Sequence, residues 1–287
     1  MRCIFCKCDS TTSKSIEHII PESLGNTTLI LKPGIVCDKC NNYIAREVEK
    51  PFLEYSGIRH LRFEEGVLSK KGRIPELQGI MSDDNGKTTV TVNRFPALPF
   101  PIYSGNPLMF TIREGITPSK TGKIYLPKFD SNYSLPDGAV LSRFLGKIAL
   151  EFMALRLSEY PEGIEYLVDH VQLDELREHV RLGKTVNWPC SVRKIYEKET
   201  VIYNEVTNEY EQIINEADIL VTKNSEYYLV IAIFGIEFAI NIGGAEIDGY
   251  YAWLKENDNQ SPLYIDKDKW LKSLGLQEDY LQCKNLN

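Results

Sequence analysis

Two cysteine pairs of identical spacing, Cys3-x2-Cys6 and Cys37-x2-Cys40, stand thirty residues apart near the start of the chain. Each C-x2-C is a tight turn that presents two thiolates, and two such turns supply the tetrahedral sulfur set that structural zinc prefers. A segment this short buries little apolar surface, so a metal would contribute much of its folding energy. Cys8 could replace Cys6 as a ligand, but the x2 spacing favours Cys3 with Cys6. The chain has seven cysteines, five of them in the first forty residues. The opening MRCIFCKCDS is polar where a secretory signal would be apolar, so a soluble cytoplasmic protein is expected. An odd cysteine count in that setting argues against a disulfide framework.

Between the pairs lies SIEHIIPESLGN, residues 15–26, and the second pair continues as CDKCNN. Acid-His, a strand before the second pair, C-x2-C and a following Asn occur in the order found in HNH endonucleases. Residues 3 to about 50 resemble the zinc-knuckle branch of that family. The resemblance implies a ββα-metal fold, in which two strands and a helix surround one catalytic divalent ion and the knuckle zinc is separate and structural. It implies that His18 is the general base, and that Glu17 and Asn41 hold the catalytic Mg²⁺ or Mn²⁺.

The residue types suit that chemistry. Phosphodiester hydrolysis needs an activated water and positive charge on the developing dianion. A neutral imidazole is a base near pH 7, and oxygen ligands suit Mg²⁺ or Mn²⁺. The sequence departs from the family in two places. The family's middle asparagine, which orients the histidine, falls here on Lys32 or Pro33. A backbone carbonyl near Gly34, or Asn26 from further away, would take over. The metal acid is Glu17 where the family often has Asp, and Asn42 stands as a substitute for Asn41.

The formal net charge is −7, so the whole chain is no polycation. Residues 1–59 hold eight Lys/Arg against seven Asp/Glu, which leaves −8 on the remainder. The N-terminal module is therefore the part least repelled by a phosphate backbone. Two domains are expected: 1–57, closed by Gly57, as the nuclease module, and 58–287 as an α+β domain with antiparallel sheet.

A helix should run from Asp38 through Tyr55, with Ile44, Val48 and Phe52 on one face and a kink or an early end at Pro51. Residues 58–135 read as strands and loops, with strands at 87–95, 108–113 and 123–129. Helices are expected at 137–158, 163–183, 245–256 and 267–275, and at least four strands between Pro189 and Ile242. The apolar run YYLVIAIFGIEFAINIGG, residues 227–244, contains Glu237 and Asn241 and is split by Gly235. It reads as two buried strands and a turn rather than a membrane span.

Other features carry less. Arg143, Lys147 and Glu151 lie four apart and read as a solvated helix face with a Lys147–Glu151 attraction. GYYAW, residues 249–253, reads as packing before base stacking. His60, His170 and His179 read as ordinary surface or core residues.

The favoured function is a metal-dependent HNH endonuclease acting on DNA, in the layout of bacterial defence nucleases that join such a module to a sensing domain. A protein or small-molecule trigger would act through the C-terminal domain, and a homo-oligomer is compatible with this layout. The competing readings are a zinc-stabilised nucleic-acid-binding module without cleavage, and an RNA-directed nuclease.

Overall fold

The structure is a computed structural model that describes residues 1–84, 86–94, 108–112, 122–126, 135–160, 162–183, 187–198, 200–204, 209–212 and 215–264. Its helices and antiparallel sheets divide into two compact units, Met1–Cys3 with Lys7–Phe144 and Ile4–Cys6 with Leu145–Asn287.

In the first unit, β1 (Glu17–His18) pairs antiparallel with β2 (Ile30–Leu31), Glu17 opposite Leu31 and His18 opposite Ile30. Then comes α1 (Asp38–Ile44), a π-helical turn (Ala45–Glu49) and α2 (Lys50–Leu53). The expected single helix is present, but its irregularity lies ahead of Pro51. Pro51 has no N–H for the carbonyl four residues back, and its ring would strike that carbonyl. The wider turn avoids the conflict, with the Lys50 N–H reaching back five residues to the Ala45 carbonyl. Ile44, Val48 and Phe52 are buried, and the Phe52 ring stacks on Phe144 with centroids 3.7 Å apart.

The sequence reading missed α3 (Ser56–Glu64). Gly57 does not close a segment; it is the second residue of this helix. Ile58, Leu61 and Phe63 are buried, but four charged residues among RHLRFEE mask so short an apolar stripe. A four-stranded sheet follows, in the order β5 (Leu108–Ile112), β4 (Gly86–Arg94), β3 (Leu77–Asp83), β6 (Lys123–Tyr125). The expected strands coincide with β4, β5 and β6, although residues 95, 113 and 127–129 lie outside the described residues. Phe63 of α3 packs with Leu77, Met81, Val90 and Val92 of this sheet.

The division between the units falls within α4 (Gly138–Leu157). In the second unit come α5 (Gly163–Asp169), a 3-10 turn at Val171–Leu173 and α6 (Asp174–Leu182). The expected continuous helix 163–183 is broken at His170, whose backbone is extended, and it ends as expected at Gly183 in the left-handed region. Gly146 of α4 permits a close helix contact, since a Cβ there would lie 2.9 Å from Leu176 and Val180. Arg177 of α6 is buried and well supplied with acceptors: its Nε donates to the Ile4 carbonyl at 2.8 Å, and its other nitrogens reach His170, Leu167 and Asp174.

The main sheet of this unit runs β10 (Asn215–Val221), β11 (Tyr227–Ile233), β12 (Ile236–Asn241), β7 (Cys190–Lys194), all antiparallel. β8 (Val201–Asn204) and β9 (Glu209–Gln212) form a separate hairpin. The apolar run 227–244 is the β11–β12 hairpin, as its sequence implied. Phe234 and Gly235 both take positive φ at its two-residue turn. A side chain at Gly235 would strike the Tyr196 carbonyl, 2.2 Å from the Cβ position. Glu237 is buried inside the hairpin, and the hydroxyls of Tyr250 and Ser261 and the Arg193 guanidinium donate to it.

Helix α7 (Asp248–Glu256) packs Tyr250, Trp253 and Leu254 on the sheet. Tyr250 and Trp253 of GYYAW are thus core residues, as expected. The helix expected at 267–275 lies outside the described residues. No described helix is long and apolar enough to cross a membrane.

One expectation is overturned in α4. Lys147 and Glu151 do not form a solvated face: both side chains are fully buried, with Nζ 2.8 Å from Oε2. Their neighbours Leu141, Phe144, Leu145, Ile148, Ala149, Leu150 and Ala154 are buried too. A helix apolar on nearly all sides is a core helix, so its polar residues are carried inward with it. Arg143 is half-buried and donates to the Tyr43 hydroxyl at 3.2 Å.

Candidate functional site

The four cysteines of the two pairs converge. The Sγ atoms of Cys3, Cys6, Cys37 and Cys40 all lie within 4.8 Å of one another, while Cys8 is exposed and outside the cluster. The first pair sits on a tight turn closed by Lys7 N–H to the Cys3 carbonyl and Cys3 N–H to the Cys8 carbonyl, both 2.9 Å. Lys7 completes it with φ of 60°. The second pair opens α1: Cys37 is the N-cap, and its sulfur accepts the Cys40 N–H at 3.4 Å. The Cys3 sulfur accepts the Cys37 N–H at 3.4 Å. Amide donors and a helix N-terminus both favour the thiolate form that a metal requires. The four cysteines are positioned to bind a metal ion, and their all-sulfur set fits structural zinc.

Glu17 and His18 form β1, and Asn41 lies in the second turn of α1. The two elements are tied at several points. Asn41 Nδ2 donates to the Ile16 carbonyl at 3.4 Å, one residue before Glu17. Asp38, in the first turn of α1, accepts the N–H groups of Lys14 and Ser15 at 3.1 and 2.9 Å. Those bonds, Ser15's foremost, hold the Asp38 carboxyl below its ordinary range. The Glu17 residue is only 6% exposed, and a carboxylate so placed needs hydrogen bonds or a cation to remain charged. The His18 side chain keeps 19% exposure, although its Nδ1 is sealed from solvent.

Among the groups that could orient His18, Asn26 is fully engaged elsewhere. Asn26 is buried, and its amide nitrogen donates to the carbonyls of Ile20 and Leu29 at 2.6 and 3.1 Å. Its oxygen accepts the N–H groups of Thr28 and Leu29. Two donors and two acceptor positions are the whole capacity of an asparagine amide, so Asn26 braces the β1–β2 connection and does not reach His18. The Gly34 carbonyl accepts the Ser10 hydroxyl at 2.5 Å. Lys32, Pro33 and Asn42 are exposed.

Glu22 was missed by the sequence reading. It opens a 3-10 turn, Glu22–Leu24, right after Pro21, and its Oε1 lies 3.5 Å from His18 Nε2. A carboxylate four residues after a histidine is a weak signal in a strand-and-turn segment, because only the turn at Pro21 brings the two together. Of the remaining histidines, His60 is buried beside Glu64 at 3.0 Å and His179 is buried against Trp188.

No curated protein and no solved structure matches the chain. Residues 3–55 match the family model described as HNH endonuclease. That stretch contains the cysteine cluster and the strand–strand–helix order, and the match implies nuclease activity in general, with nucleic acid as substrate. The N-terminal segment of this chain, residues 3–55, is thus similar to an HNH endonuclease domain.

Proposed function

We propose that the N-terminal module is a metal-dependent endonuclease that hydrolyses phosphodiester bonds in DNA, with His18 as general base and Glu17 and Asn41 as ligands of a catalytic divalent ion. The observation that carries this reading is the bond from Asn41 to the Ile16 carbonyl, which ties α1 to the chain entering Glu17 and His18. The amide nitrogen is used on that carbonyl, so the amide oxygen is the atom left to face a cation. A partly exposed imidazole next to a buried carboxylate supports a division between base and ligand.

A bound Mg²⁺ or Mn²⁺ would supply Lewis-acid stabilisation of charge on the leaving 3′ oxygen. His18 would take a proton from the attacking water. Glu17 and Asn41 would fix the position of the ion's site relative to that imidazole, and the cysteine cluster would hold β1, β2 and α1 in register. Residues 58–287 would recognise a substrate, trigger or partner.

The test is incubation of supercoiled plasmid DNA, and separately of RNA, with Mg²⁺ or Mn²⁺, beside a His18→Ala control. Nicking of DNA that the control lacks supports the proposal, and cleavage of RNA alone would reassign the substrate. Binding without cleavage of either would favour the zinc-stabilised binding module, the reading fed by Lys32 and Pro33 at the middle-asparagine position.

A further inference from the structure

We infer that Glu22 is a catalytic residue of this module: its carboxylate orients the attacking water between itself and His18. The inference rests on the nuclease reading above. It starts from three observations in one short stretch. First, Glu22 Oε1 and His18 Nε2 are 3.5 Å apart, and both side chains are partly exposed, Glu22 at 35% and His18 at 19%. Second, His18 Nδ1 is sealed from solvent, so the edge of the ring bearing Nε2 is the one that reaches water. Third, Asn26, the side chain that could substitute from further away for the missing middle asparagine, is saturated by backbone groups.

A separation of 3.5 Å is long for a direct N–H···O bond. It lets a single water touch both atoms, donating one hydrogen to Nε2 and the other to Oε1. Such a water has both hydrogens directed and an oxygen lone pair turned outward, toward a phosphorus. In the reaction one O–H bond breaks and its proton goes to His18 Nε2. The new bond forms from that oxygen to phosphorus, and the bond from phosphorus to the leaving 3′ oxygen breaks. The leaving oxygen takes a proton from solvent. Glu22 keeps the second O–H as a hydrogen bond throughout and takes no proton.

The local fold is built to hold Glu22 there. Pro21 fixes its own φ just after the strand, and the 3-10 turn Glu22–Leu24 is closed by the Gly25 N–H to the Glu22 carbonyl at 2.9 Å. Gly25 takes φ of 83°, and Leu24 is buried under the turn. The carboxylate is therefore carried on a braced turn rather than on a free loop.

The experiment compares wild type, Glu22→Gln, Glu22→Ala and His18→Ala for plasmid nicking over a Mn²⁺ titration, with zinc content and melting temperature measured on each. An amide oxygen still accepts a hydrogen bond but without charge, so Glu22→Gln should keep more activity than Glu22→Ala. Glu22→Ala should lose on the order of tenfold to a hundredfold in kcat, below the loss expected of the base itself. KM and the Mn²⁺ midpoint should not move, and zinc content should be unchanged.

Full activity in Glu22→Ala, beside an active wild type and an inactive His18→Ala, would overturn the inference and leave the nuclease reading standing. A raised Mn²⁺ midpoint with recovery at saturating metal would overturn it too, by making Glu22 an ion ligand. An inactive wild type would remove the nuclease reading and this inference with it. Should Glu22→Ala lose zinc or melt early, Glu22→Gln decides: a reduced kcat with zinc retained supports the inference, and an unchanged kcat overturns it.

Discussion

Asn41 Nδ2 donates to the carbonyl oxygen of Ile16 across twenty-five residues of sequence. The bond joins the second turn of α1 to the residue just ahead of Glu17 and His18, so α1 cannot shift along β1 without breaking it. The cysteine pair at the start of the same helix, half of the four-cysteine cluster, imposes a second constraint. Asn41 is thus held by its nitrogen while its oxygen is directed by the amide's fixed geometry.

Asn41→Ala and His18→Ala should therefore fail in different ways. On the roles proposed above, Asn41→Ala would remove an oxygen ligand and one hydrogen bond worth about 1 kcal/mol, so half-maximal cleavage should need roughly ten times more Mn²⁺ or beyond. Excess metal should restore part of the rate. His18→Ala would remove the proposed base, costing about 10²- to 10⁴-fold in kcat, and no metal concentration should rescue it. A metal titration of cleavage on both variants checks this, and full activity in His18→Ala would place the chemistry elsewhere.

The buried Lys147–Glu151 pair makes a stability prediction. Both charges are out of water, so removing one takes from the other a counter-charge that solvent cannot replace. Glu151→Ala should cost about 3–5 kcal/mol in urea unfolding, whereas Lys147→Met with Glu151→Leu should fall much closer to wild type. If the single and double variants both unfold within about 1 kcal/mol of wild type, the pair is not desolvated in solution.

That pair also marks where sequence reading stops. Spacing alone identified the cysteine pairs, the β11–β12 hairpin and the start of α1, because each is set by local chemistry: thiolate turns, turn glycines and helix periodicity. Burial of Lys147 is set by what surrounds α4 in space, which residues four apart cannot report. Charges hid α3 for a related reason, since Arg59, Arg62 and Glu64 interrupt its apolar stripe while Ile58 and Leu61 still reach the interior. Glu22 stayed invisible because its distance to His18 depends on the turn at Pro21. Asn26 was visible, but its role was misjudged: its hydrogen-bonding capacity goes to the backbone of the β1–β2 connection.

The proposed boundary near residue 57 has a proteolytic test. Ser69–Arg73 forms a hydrogen-bonded turn, with Lys70, Lys71 and Arg73 exposed. Limited trypsin digestion should nick there first, inside the window from 55 to 75, and the zinc should remain with the N-terminal fragment. Phe63 packs with Leu77 and Val90, so a fragment ending near 70 should expose apolar surface and be less soluble than one ending at 57. If no cut falls in that window and neither fragment folds, residues 1–57 are not a separable domain.

The metal cluster predicts one zinc per chain and an acid limit to it. Cys→Ser at position 3, 6, 37 or 40 should abolish stoichiometric zinc and unfold the N-terminal module, whereas Cys8→Ser should do neither, because Cys8 lies outside the cluster. Metal bound to thiolates is displaced by protons, so affinity must fall as pH falls. Asp38 acts in the same direction. Its carboxyl is held below the ordinary value of 3.8 by the bonds from Ser15 and Lys14. A group whose folded value is depressed stabilises the fold above its unfolded value, and that contribution disappears as pH drops through the folded one. Zinc release should therefore come first on acidification, from proton competition at the thiolates, with loss of the Asp38 tie to the Lys14–Ser15 chain following below about pH 4. Zinc content and near-ultraviolet circular dichroism followed together from pH 8 to pH 3 would check the order. Asp38→Asn should leave the zinc step in place while removing the later one, and a zinc step that moves with Asp38→Asn would show that the carboxylate, and not the thiolates, sets the acid limit.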